Sequence, residues 1–315
     1  MAGRAVTVAG GLILFAYVCL LVAAPFFVNR AKLNLLYLML YFVVLAGSWN
    51  LASGFTGYIN FGHVAFVGMG MYGAAIAIAD LRWHWLAAML VGGVVAAIYG
   101  AVLSFPLLRV KGPYFTITTL AIAEGTRILM SSEYLEGITR AGSGIPLFTR
   151  ISFETKYALM FALAVLVVAV TYALANSRLG LRLLAIREDE VAAENLGIDT
   201  VRLKVAVFVL GAFVAGLAGG VHATYLSYID PVNAFNLQYT IIPVVMAFFG
   251  GMGTVLGPVV GGSLLQLLND YVWANVLQMN MAVFGALLVL LILFLPDGAL
   301  EWLKQRGLLP RSRRV

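Results

Sequence analysis

"NLQYTIIPVVMAFFGGMGTVLGPVVGGSLLQLL", residues 236–268, is apolar enough to enter a bilayer, yet it is broken by Pro243, by "GGMGTVLGP" at 250–258 and by Gly261 and Gly262. If it crossed once, three apolar stretches would separate the basic segment ending at 204 from the basic tail beginning near 300, and three is odd. Both basic segments belong on the cytoplasmic face, so the stretch reads as a re-entrant pair of half-helices that enters and leaves on the far side. Non-helical backbone at membrane depth survives only where protein or a water-filled cavity covers it. The break is therefore a candidate for the path of a transported molecule.

The rest of the chain agrees with a bilayer. Of its 315 residues, 62% are hydrophobic and 11% charged, with a mean hydropathy of +0.97. Apolar runs cover roughly 6–28, 33–52, 62–80, 85–108, 113–130, 157–176, 205–226 and 279–295, besides 239–268. They are long and lack the alternation of barrel strands. The fold class expected is an all-α polytopic membrane protein, about eight transmembrane helices plus broken or re-entrant half-helices, in one transmembrane domain over 1–315. The first run resembles a secretory signal, but it exceeds the roughly 7–15 apolar residues of a signal core and reads as an uncleaved span.

Alternating the crossings places 13 Lys/Arg inside and 6 outside, with Arg127 in a span. Both termini are then cytoplasmic, with a tail at 297–315 and a polar loop at 177–203. The net charge of +6 follows from this orientation and calls for lipid contacts, not nucleic acid. Cys19 is the single cysteine, so an internal disulfide and a cysteine-built metal site are excluded. No phosphate loop, HExxH or GxSxG occurs; the expectation is a non-enzyme with no cofactor and no metal.

Two further features stand out. "SGFTGYINFGH", 53–63, repeats the ingredients of the late break near the other end of the chain, and paired broken segments point to a transporter's binding site. Gly57, Asn60, Gly62 and His63 in the early break, and Gly250, Gly251, Gly253 and Thr254 in the late one, are candidate path residues. So are Tyr114 and Thr116 on the helix after Pro113, and Glu124, which shares a helix face with Arg127 three residues on. His63 reads as a hydrogen-bonded residue holding the break, and Gly211, Gly216 and Gly220 as close helix packing. In the polar loop, "REDEVAAENLGID" at 187–199 makes a short helix with acids at its positive end and Gly197 as its stop. Ala192 and Ala193 leave room for another protein to approach.

This loop resembles the coupling loop of ABC importer permeases. With "SRLGLRLLAIRED" before it, "NLASGFTGYINFGHVAFVGMGMYGAA" at 50–75 and "FFGGMGTVLGPVVGG" at 248–262, the chain is similar to the branched-chain amino acid permease family of the LivM type over about 33–295. The resemblance implies Arg187, Glu188, Asp189, Ala192, Ala193 and Gly197 as the ATPase-coupling residues. It also implies a LivH-like second permease, two ABC ATP-binding subunits and a periplasmic substrate-binding protein, in a bacterial inner membrane. Branched-chain amino acids are the leading cargo, with urea, short amides and aromatic acids carried by relatives. A rival of another class, an autonomous ion-coupled secondary transporter, would need an intramembrane carboxylate, and only Glu124 offers one.

Overall fold

The computed structural model describes residues 17–110 and 112–275, so the apolar stretch 279–295, the basic tail and the start of the first span lie outside the described residues. The chain begins with α1 (Tyr17–Phe27) and α2 (Arg30–Trp49), which passes into a five-residue π-turn, Asn50–Gly54. After an irregular stretch come α3 (His63–Ala79), α4 (Trp85–Leu107) and α5 (Pro113–Met130). A polar connection holds the short α6 (Glu136–Thr139) and β1 (Ile145–Pro146) before α7 (Phe153–Ala175). Two short helices follow, α8 (Arg178–Glu188) and α9 (Glu190–Asn195), then the long α10 (Thr200–Leu226). Last are β2 (Tyr228–Ile229), α11 (Pro231–Ala234), α12 (Gln238–Gly250) and α13 (Gly257–Asn275).

Among the described residues, five helical segments are long and apolar enough to cross a membrane: Arg30–Gly54, Trp85–Leu107, Phe153–Ala175, Thr200–Leu226 and Pro231–Gly250. Two shorter apolar helices are Tyr17–Phe27 and His63–Ala79. The stretch 239–268 folds as a hairpin of two unequal limbs: α12 has 13 residues, shorter than a span, and is preceded after a non-helical link by α11, while α13 has 19 residues.

The helices are not equally central. The span that contains α2 is 83% buried and α10's is 72%, whereas α7's is 22%. α2 therefore forms the axis, packed on α7, α10, α12 and α13, while α7 lies outside. The tightest cluster is α3, α4 and α10. Its helices meet through residues too small to hold them apart: a Cβ on Gly70 would lie 2.4 Å from the backbone of Gly216, and one on Gly216 would lie 2.4 Å from the Ala96 side chain. In a bilayer, where lipid tails are as apolar as leucine, such close approach is a principal source of helix association. Gly211, Gly216 and Gly220 thus pack helices within this chain, against Ser48, Ala96 and Met89 respectively.

The two ends of the bundle are distinct. One carries α8 and α9. The other carries the antiparallel pair β1–β2, in which Ile145 lies opposite Ile229, and the Arg140–Asp80 ion pair. α10 runs from the first end to the second; α12 comes back toward the first, and α13 leaves it.

Candidate functional site

A widened turn leads into the early break. α2 widens into the π-turn at Asn50 and stays helical to Thr56; the backbone is irregular from Gly57 to Gly62, and helix resumes at His63. Unwound backbone needs new partners where water is excluded, and side chains supply them. Trp49 Nε1 donates to Asn60 O at 2.8 Å, Asn60 Oδ1 accepts from Gly62 N at 2.8 Å, and Ser53 Oγ accepts from Asn60 N at 3.3 Å. From α5, Thr116 Oγ1 donates to Ile59 O at 3.1 Å and Thr119 Oγ1 accepts from Phe61 N at 3.1 Å. Thr240 of α12 accepts from Val64 N at 2.7 Å and so caps α3 from another helix. His63 is buried against Ser48, Nε2 to Oγ 2.9 Å; Ser48 Oγ donates to Leu45 O, which assigns the proton between the pair to His63.

The late break is a tight turn, 251–256, between α12 and α13. Gly251 and Gly253 have φ of +117° and +79°, a region closed to most side chains. Thr254 Oγ1 donates to Gly251 O at 2.8 Å and accepts from Gly257 N at 3.0 Å, capping α13.

The two breaks, about 200 residues apart in sequence, touch. Asn50, with no exposed surface, accepts from Gly253 N at 2.8 Å and donates Nδ2 to Thr254 O at 2.9 Å. Arg187 joins them from α8: its Nη1 donates to Gly54 O at 3.0 Å and to Met252 O at 3.3 Å. The resemblance placed Arg187 among the coupling residues, and the structure turns it inward onto both breaks.

The α8–α9 segment is anchored a second time. Lys204 is 2% exposed, its Nζ is 2.7 Å from Glu190 Oε1 and 4.5 Å from the centre of the Tyr58 ring. The Tyr58 hydroxyl donates to Glu190 Oε2. Burial and then this carboxylate push the Tyr58 hydroxyl above its usual range, so it stays a donor. Asp189 caps α9 by accepting from Ala192 N at 3.0 Å, and Gly197 ends that helix with φ of +78°. Ala192 is exposed, but Ala193 is 2% exposed beneath its own chain. Of the two alanines expected to face outward, only Ala192 does so.

The site therefore gathers Gly57, Asn60, Gly62, His63, Thr116, Gly250, Gly251, Gly253, Thr254 and Arg187 around the meeting of two breaks. Glu188, Asp189, Ala192 and Gly197 lie on the exposed side of the neighbouring α8–α9 segment. Tyr114 and Glu124 are elsewhere: Tyr114 is 74% exposed on the outer face of α5, and Glu124 pairs with Arg127 there, Nε to Oε1 3.0 Å. Sequence reasoning missed Asn50, Ser48, Tyr58, Lys204 and Thr240. Asn50 and Lys204 carried a signal, a polar residue at the edge of an apolar run, whereas Thr240 acts through a contact 176 residues away. No group of acids, histidines and cysteines able to hold a metal occurs among the described residues.

Comparison with known proteins gives this geometry a context. The family described as branched-chain amino acid transport system / permease component matches residues 32–293. The high-affinity branched-chain amino acid transport system permease protein LivM of Escherichia coli K12 is 28% identical, over 93% of this chain and 76% of its own length. LivH of Salmonella typhimurium LT2 is 26% identical, over 82% of this chain and 91% of its own. The autoinducer 2 import system permease protein LsrC of Salmonella paratyphi B is 28% identical, over 70% of this chain and 64% of its own. No solved structure matches. With the family match covering most of its length, the chain belongs to the permease components of branched-chain amino acid transport systems.

Proposed function

We propose that the chain is the transmembrane permease subunit of an ATP-driven importer that moves branched-chain, hydrophobic amino acids across the bacterial inner membrane. It has an even number of crossings, about eight, and both termini are cytoplasmic. Its partners are a LivH-like second permease, two ATP-binding subunits seated on 177–203, and a periplasmic substrate-binding protein. Hydrolysis belongs to the ATP-binding subunits, and this chain supplies the route. Glu188, Asp189, Ala192 and Gly197 form the exposed docking face, and the residues around the two breaks line the path.

The observation that carries this reading is the similarity to the LivM protein over 93% of the chain. The structure adds a physical reason, since the segment proposed to meet the ATPase hydrogen-bonds both breaks through Arg187. The test is uptake into liposomes by the complete complex with radiolabelled leucine, isoleucine and valine. ATP-dependent accumulation that vanishes without the binding protein supports the proposal; uptake by this chain alone, abolished by an ionophore, overturns it. The relative named as an autoinducer 2 import system permease suggests a second reading of the cargo, autoinducer 2 in place of an amino acid. A ligand screen of the cognate binding protein separates the two.

A further inference from the structure

The two breaks are joined by two side chains from different parts of the chain. Asn50 belongs to the buried axis, and its amide reads the backbone of Gly253 and Thr254. Arg187 belongs to α8, and its single Nη1 serves Gly54 O on one break and Met252 O on the other. The junction has no room for a further side chain: a Cβ on Gly54 would lie 2.0 Å from Asn50 Oδ1 and 2.9 Å from Gly253 N. Carbonyls freed by a broken helix are strong acceptors in a water-poor site, and a guanidinium satisfies two at once with charge-assisted bonds.

The forces on the two breaks are unequal. The early break is held to α9 and α10 by Tyr58, Glu190 and Lys204 as well as by Arg187, so it follows the coupling segment when that segment moves. The late hairpin is reached from α8 through Arg187 at the longer distance, 3.3 Å. A displacement of α8–α9 therefore pulls the early break away from the late one, against the two bonds by which Asn50 holds Gly253 and Thr254.

We infer that the two breaks form one gate at the α8–α9 end, and that Arg187 is the positioning residue that holds it shut until the coupling segment moves. This rests on the proposed transport function and assigns that function a closing element.

The test uses the complete complex in liposomes, with the single cysteine, Cys19, replaced by serine and a reporter thiol placed by Ser53→Cys, a position 1% exposed behind the clasp. A membrane-impermeant maleimide is applied from the α8–α9 side, and ATP hydrolysed per amino acid transported is measured in parallel. Arg187→Gln is expected to speed labelling at least fivefold without ATP, and to raise the ATP-to-transport ratio at least fivefold. Arg187→Lys, which keeps the charge and loses the planar fork, is expected to recover less than half of either effect. Unchanged labelling in Arg187→Gln, or full recovery by Arg187→Lys, overturns the gate and leaves Arg187 a membrane anchor. If the parent complex moves no amino acid, the proposed cargo fails, yet the labelling comparison needs no cargo and still decides the gate.

Discussion

The early and late breaks solve one problem in opposite ways. Both interrupt apolar helices, and both must satisfy backbone groups that lost their helical partners. The early break is long and polar: Trp49, Ser53, Asn60, Thr116, Thr119 and Thr240 supply donors and acceptors to the stretch from Ile59 to Val64. The late break is short, with glycines taking backbone angles that close the chain on itself and Thr254 capping the next helix. A side-chain-built break depends on its neighbours, so it can be shifted by them. A glycine-built break carries its geometry internally and acts as a fixed surface. The contact between a movable element and a fixed one is suited to a gate.

The largest predicted effect breaks the early side alone. Lys204→Met removes the cation beside the largely buried Glu190 carboxylate, which keeps the Tyr58 hydroxyl; this costs about 3 kcal/mol and should loosen residues 57–62 while sparing 251–256. Hydrogen exchange followed peptide by peptide is the measurement, and equal deprotection of both breaks would contradict the asymmetry. Next comes the late side. Gly253→Ala places a methyl group 2.5 Å from Arg187 Nη1 and 2.9 Å from Gly54 O at φ of +79°. The strained backbone alone costs about 1–3 kcal/mol, so a clear drop in unfolding temperature in detergent is expected.

Gly57→Ala sharpens the contrast. Gly57 has nearly the same φ, +77°, but its nearest neighbour is the Arg187 side chain at 3.1 Å, which can yield. Its cost should be about 1 kcal/mol, visibly less than at Gly253 in the same melt; an equal cost would mean that the early break is as rigid as the late one. Asn50→Ala strands Gly253 N and Thr254 O and is expected to cost about 2 kcal/mol, with loss of uptake before loss of assembled complex on a sizing column. The smallest effect is Thr119→Val, which leaves Phe61 N without its acceptor for about 1 kcal/mol and should lower uptake less than twofold.

Much of this was legible in the residues. Apolar runs gave the helices to within a few residues, "PYFTITTL" opened α5 at its proline, and Asp189 and Gly197 marked the ends of α9. The likeness between 53–63 and 250–258 correctly drew attention to both breaks. Direction was harder to read. Arg187 was grouped with the coupling residues of the polar loop, and Ala193 looked like an outward-facing contact, because helical spacing does not say which face a neighbour will cover. Glu124 shares a helix face with Arg127, and the two do pair, on the outer face of α5. Length was harder to read: α12 is 13 residues long and α13 is 19, where one interrupted run stood in the sequence.

The sequence by itself determined a helical membrane protein, the glycine- and proline-rich stretches that interrupt its helices, and the one long polar segment between its apolar runs. These are local consequences of apolar length, of glycine and proline in the backbone, and of where charge can sit. Tertiary structure alone decided that the breaks touch, that Asn50 and Arg187 hydrogen-bond across them, and that Lys204 ties α9 to the early break and not the late one. Such contacts join residues up to about 200 positions apart, and which carbonyl lies within 3 Å of a guanidinium depends on how all the helices pack together.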